Sequence, residues 1–182
     1  MRLIRQNAGE WHVRKDAIVI AGFSAGGHLA AEYACKWDRP ALSAVAEAER
    51  EELRPNALVL GYPVITAGAA AHEESIHNLL GAQDTPKMRR SVSLETQVSG
   101  CVPPVFLWHT ATDEMVNAEN SLLFASALAR EKIPYELHIY GTGVHGVSLG
   151  TRATVGEEKH VSHGCAGWFA QAARFLERVL HE

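Results

Sequence analysis

A serine set between two glycines, in Gly22-Phe23-Ser24-Ala25-Gly26, is the residue of this sequence best placed to act as a nucleophile. The Gly-x-Ser-x-Gly pattern is common by chance, so its setting decides its weight. It follows Ala17 to Gly22, a continuous apolar run of the kind buried on both faces of a sheet. It opens Ala25 to Trp37, an Ala- and Leu-rich stretch without proline that reads as a helix. Strand, sharp turn and helix together lift a serine hydroxyl above a sheet. The helix start behind Ser24 favours developing negative charge, and the Ala25 N–H there is a candidate oxyanion donor. The plainer alternative is a Gly-rich turn in which Ser24 caps the helix or holds a phosphate. The chain lacks the P-loop lysine and the full Gly-rich phosphate pattern.

A serine nucleophile needs a base, and the base needs an orienting carboxylate. On such a strand–turn–helix the acid comes next in the chain and the histidine last, each just beyond the end of a later strand. Asp38 ends the helix after the serine turn, and Asp84 falls in an irregular stretch. Asp113 follows the apolar run Val105 to His109 by four residues, with Glu114 beside it as the fallback acid. Its alternative role is a solvated turn residue capping the next helix. Of the later histidines, His138 lies inside a strand and His181 near the C-terminus. His160 and His163 read as loop residues or a weak metal pair. His145 sits in the glycine-rich Gly141-Thr-Gly-Val-His145-Gly146, directly after a strand. The expected triad is therefore Ser24, Asp113 and His145, with no metal. Phe23, Tyr62 and Pro63 are candidates for lining the pocket, although a core tyrosine is equally ordinary. Trp108, His109 and His28 read as packing residues.

These side chains need a scaffold of strands alternating with helices. Beyond the two elements around Ser24, strands are expected at 57–62, 105–109 and 135–140. Helices are expected at 1–11, 41–53, 118–131 and 166–180, the last with Phe169, Ala173, Leu176 and Leu180 facing inward. Such alternation implies an α/β fold, a mostly parallel sheet between helical layers. Residues 66–98 lack clear periodicity and read as a functional loop or cap-like insertion in one domain spanning 1–182. Hydrophobic residues at 47% and charged residues at 21% are globular values. The net charge of −4 and the absence of a basic run argue against a nucleic-acid partner. No apolar run is long enough for a membrane helix. Three widely spaced cysteines, Cys35, Cys101 and Cys165, fit reduced thiols in a cytoplasmic protein.

Several of these segments together resemble the α/β-hydrolase superfamily, in its acetyl-esterase and xylan-esterase-like branch of carbohydrate esterases. The likeness rests on Gly22-Phe-Ser-Ala-Gly-Gly-His-Leu-Ala30 and Gly61-Tyr-Pro-Val64. It extends to Pro103-Pro-Val-Phe-Leu-Trp-His-Thr110 with Asp113, and to Glu136-Leu-His-Ile-Tyr140 with Gly143-Val-His-Gly146. It implies hydrolysis of a carboxylic ester, such as an acetyl group on a sugar, through an acyl-enzyme and without a cofactor. A peptidase of the prolyl-oligopeptidase type would use the same triad, and a catalytically dead relative could keep it while acting as an interaction protein. Members of the superfamily carry further strands before the serine turn, and a His-Gly-Gly loop there supplies part of the oxyanion hole. With Ser24 so early, the chain reads as the C-terminal portion of the fold. The strand leading to Ser24 should then form an open edge through which copies associate.

Overall fold

The computed structural model describes residues 1–154 and 164–181. The four expected strands form, as β1 (Val19–Phe23), β2 (Ala57–Gly61), β3 (Val105–Thr110) and β4 (Tyr135–Tyr140). They pair in parallel in the order β1-β2-β3-β4. Every residue of β2 and β3 is buried, as continuous apolar runs require when helices cover both faces. Alternation divides the core. Leu58, Leu60, Val105 and Leu107 pack beneath α2 (Ala25–Lys36) and α7 (Glu119–Arg130). Val59, Phe106 and Trp108 point the other way, against α8 (Trp168–His181). The result is the three-layer α/β sandwich anticipated from the sequence. Among the described residues no helix is long and apolar enough to cross a membrane.

Several helices differ in detail from their sequence patterns. Only Arg2–Gln6 of the first eleven residues is helical, forming α1. The 41–53 pattern breaks into α3 (Pro40–Ala46) and α4 (Arg50–Leu53), because Glu47 turns left-handed and Glu49 starts a new helix with a reciprocal capping box to Glu52. On α8 the buried residues are Trp168, Ala172 and Phe175, whereas Phe169 is 62% exposed. Stripes one residue apart share one periodicity, and Trp168 selects between them. Its ring stacks on Trp108 and its indole N–H donates to the Ser148 carbonyl, which fixes the rotation of the helix. Within 66–98 lie α5 (Glu73–Leu80), α6 (Pro86–Val92) and two single 3-10 turns around a small core of Val64, Ile76, Leu80 and Val116. Arg89 closes this unit, its guanidinium paired with both Glu73 and Asp84. None of the three cysteines is disulfide-bonded, and burial pushes the Cys35 thiol up to about 12.

β1 is an edge of the described sheet, so one side of its backbone has no strand partner. Apolar side chains flank that side on both layers: Leu29 is exposed on α2, and Phe169 on α8. No proline or lysine blunts the strand itself. The 182-residue chain is therefore expected to self-associate through this edge. Light scattering coupled to size exclusion at micromolar concentration tests it, and a stable monomer would remove the expectation.

Candidate active site

Ser24 stands between β1 and α2 with φ 55° and ψ −126°, a backbone state an L-residue adopts only under constraint. Strain of this kind costs on the order of 1–3 kcal/mol. Burying a single core side chain such as Phe106 recovers a similar amount, roughly 1.5–3 kcal/mol. The neighbouring backbone holds the turn in place. The Ser24 N–H donates to the Gly61 carbonyl, and the Ser24 carbonyl accepts from the Gly27 and Val64 N–H groups. As the first residue of α2, Ala25 has no intrahelical partner for its N–H.

The glycines around Ser24 do different work. A Cβ on Gly22 would lie 2.4 Å from the Gly26 carbonyl oxygen and 2.7 Å from the Ala30 Cβ, so this glycine lets strand and helix meet. A Cβ on Gly27 would meet Pro63, but one on Gly26 would meet nothing within 4 Å. Gly22→Ala is expected to cost about 3 kcal/mol, because the obstacle is backbone and cannot swing away. For a domain of this size that lowers Tm by roughly 6–12 °C in a thermal melt, whereas Gly26→Ala should leave Tm unchanged or raised.

The other two members of the expected triad arrive from loops at the same end of the sheet. Ser24 Oγ lies 2.8 Å from His145 Nε2, and His145 Nδ1 lies 2.7 Å from Asp113 Oδ2. The second carboxylate oxygen, Oδ1, accepts the Met115 and Val116 N–H groups, fixing the plane of the acid. Burial would raise the Asp113 pKa. Hydrogen bonds from His109, His145 and the Val116 N–H outweigh it and hold the carboxyl well below the usual range. Since an ionised Asp113 can only accept, His145 carries its proton on Nδ1 and turns the Nε2 lone pair toward Ser24. The His145 loop is tied to the Asp113 loop by the Thr110 and Thr112 hydroxyls, both bonded to the Gly143 carbonyl. Gly146, at φ 75°, supplies the left-handed turn just after the histidine.

An aromatic column supports this chain from below. The Tyr62 ring meets His145 edge-on at 5.0 Å and Trp108 at 5.0 Å, and Trp108 stacks on Trp168 at 5.1 Å. Phe23 packs between Tyr62 and Trp168. Tyr62 and Pro63 are thus buried behind the triad, with Pro63 set against Gly27, while Phe23 borders an apolar cleft of about 430 Å³ beside the β1 edge. A second cleft of about 410 Å³, lined by Thr112, Glu114, Met115, Val144 and His145, opens at His145. Glu114 is exposed there and makes no triad contact.

The remaining candidates separate cleanly. His138 pairs with Glu136 on β4, and Asp84 and Asp38 pair with Arg89 and Arg50. His28 is buried with Nδ1 on the Val64 carbonyl, and burial lowers its pKa. His160 and His163 fall outside the described residues. Two polar residues that periodicity would turn outward are fully buried on α7. Asn120 caps the Ile65 and Thr66 N–H groups and anchors the start of the 66–98 segment. Ser121 meets His109. Only their position in the first turn of a helix after Asp113 hinted at such roles.

The chain as a whole has recognisable relatives. The BD-FAE family profile matches residues 1–128. Endo-1,4-beta-xylanase B of Butyrivibrio fibrisolvens is 39% identical over 149 residues, covering 82% of this chain and 23% of that protein. The acetylxylan esterase of Xylanibacter ruminicola is 31% identical over 155 residues, covering 82% of this chain and 30% of that one. The crystal structure of the carboxylesterase Cest-2923 from Lactobacillus plantarum WCFS1 superposes with a TM-score of 0.83 at 30% identity, over 97% of this chain and 64% of that chain. The chain therefore spans less than a third of either curated relative and just under two thirds of the solved esterase.

Proposed function

The chain belongs to the BD-FAE family, within the esterase-like branch of the α/β-hydrolases, and on that footing we propose that it is a serine hydrolase of carboxylic esters, with acetylated sugars as its substrate class. The observation that carries the reading is the continuous hydrogen-bonded chain from Ser24 through His145 to Asp113 on a strained strand–helix turn. In this reading the Ser24 hydroxyl adds to the ester carbonyl as His145 Nε2 takes its proton. The Ala25 N–H receives the developing oxyanion. The tetrahedral adduct expels the alcohol, which leaves with the proton from His145, and an acyl-serine remains. Water then repeats the sequence, His145 acting as base and then as acid, and releases the carboxylic acid. Asp113 stays ionised throughout and stabilises the imidazolium.

The likeness to an acetylxylan esterase supports the acetyl-sugar assignment, and the exposed cleft beside His145 offers room for the alcohol portion. A fluorophosphonate probe followed by peptide mass spectrometry is the first test, with labelling expected at Ser24. Acetylated xylo-oligosaccharides, longer acyl esters and aminoacyl amides then compete in one turnover assay. Preference for the amides would replace the esterase reading with a peptidase one, and absence of labelling would make the chain catalytically inert.

A further inference from the structure

A second histidine reaches the same oxygen of the catalytic acid that His145 holds, Asp113 Oδ2. His109, near the end of β3, is fully buried, and its Nε2 lies 2.9 Å from the Val116 carbonyl oxygen and 3.4 Å from Asp113 Oδ2. A carbonyl oxygen can only accept, so Nε2 carries a hydrogen. His109 Nδ1 lies 2.8 Å from the buried Ser121 hydroxyl of α7, which donates to it when the ring is neutral. The hydrogen on Nε2 is bonded to Val116, and the positive edge of the imidazole lies beside the carboxylate at 3.4 Å. Val116 in turn gives its N–H to Asp113 Oδ1. The turn from Asp113 to Val116 is thus clasped at both ends by one imidazole.

From this geometry we infer that His109 is a positioning residue for the Asp113–His145 pair, holding the carboxylate in place and drawing part of its charge away from His145. The inference rests on the proposed hydrolase reading for its kinetic consequence. The titratable groups that face Asp113 are His109 from β3, His145 from the loop after β4 and Tyr62 from the end of β2. Tyr62 raises no competing positive charge, so His109 and His145 are the two imidazoles that share the carboxylate. A histidine that merely filled the core would need Ser121 and Val116 but would leave the acid's titration untouched.

The test uses His109→Gln, His109→Asn and His109→Phe in the full chain. Gln extends an amide N–H₂ to the position of Nε2, with one hydrogen for Val116 and one for Asp113. Asn is too short to do so, and Phe has no donor. Without that donor Asp113 holds the proton of its partner imidazole more tightly, so the base is freed only at higher pH. His109→Asn and His109→Phe are expected to lower kcat by roughly 10- to 100-fold, with KM within about twofold. Their acidic limb of kcat/KM should move up by roughly 0.5–1 pH unit, and His109→Gln should recover the wild-type limb. Thermal melts establish that each variant is folded. If His109→Phe does not fold, the comparison of Asn with Gln decides. The downfield NMR proton of the His145–Asp113 hydrogen bond, followed against pH, reports the same pair without turnover. An inactive wild type would therefore overturn the hydrolase reading and not this one. Folded Asn and Gln variants with the same limb, or the same NMR titration, would overturn it.

Discussion

Ser24→Ala is expected to bring hydrolysis of p-nitrophenyl acetate down to the background of the purified variant, a loss on the order of 10⁶-fold in kcat. Alanine keeps the Cβ, so the turn at φ 55° bears the same strain and the same backbone bonds to Gly61 and Val64. Only the hydroxyl and its 2.8 Å contact with His145 are lost. That bond is worth about 1 kcal/mol, so Tm should stay within a few degrees of wild type. The measurement pairs initial rates with a thermal melt. A folded variant that keeps about one per cent of the rate would mean that another nucleophile carries the reaction.

Asp113→Asn should cost about 10⁴-fold in kcat while leaving the site assembled. The asparagine carbonyl can still accept from the Met115 and Val116 N–H groups, which occupy Oδ1 in the native protein. Its amide nitrogen then faces His145 Nδ1 as a donor. The imidazole must answer with a lone pair, which moves its hydrogen to Nε2 and leaves Ser24 without a base. KM should change little. Glu114→Gln, at an exposed residue with no bond to the triad, is the control and should keep kcat near wild type, any change falling on KM through the cleft it lines. If Asp113→Asn kept a near-normal rate and Glu114→Gln lost it, the roles of the two acids would be exchanged.

The serine turn was legible because chemistry and scaffold are written side by side, with the apolar strand, the two glycines and the helix contiguous in the chain. Asp113 and His145 could be chosen because each follows a buried strand closely. His109 was not legible in this way. Its partners come from α7 and from the turn after β3, and a histidine in an apolar run looks like packing. Asn120 and Ser121 were missed for a related reason. Periodicity assigns polar residues to the solvent side, and it cannot see that the Ile65 and Thr66 N–H groups and the His109 ring need partners there. The rotation of α8 is not legible in the sequence because Phe169 and Trp168 fit equally good stripes, and only the distant Trp108 distinguishes them. Helices α5 and α6, of eight and seven residues, are too short for a period to emerge, and their closure depends on Arg89 reaching two separated acids.

The aromatic column beneath His145 also gives the protein a built-in optical signal. Trp108 and Trp168 lie nearly parallel, 20° apart, with centroids at 5.1 Å, so both indoles sit in an asymmetric, packed environment that is lost when the column comes apart. Tyr62 touches both Trp108 and the imidazole, so a change at His145 has a direct contact route to the indole pair. Intrinsic emission, recorded on Trp11→Phe/Trp37→Phe protein to leave this pair alone, is therefore the natural readout to try for events at His145 with substrates that release no chromophore.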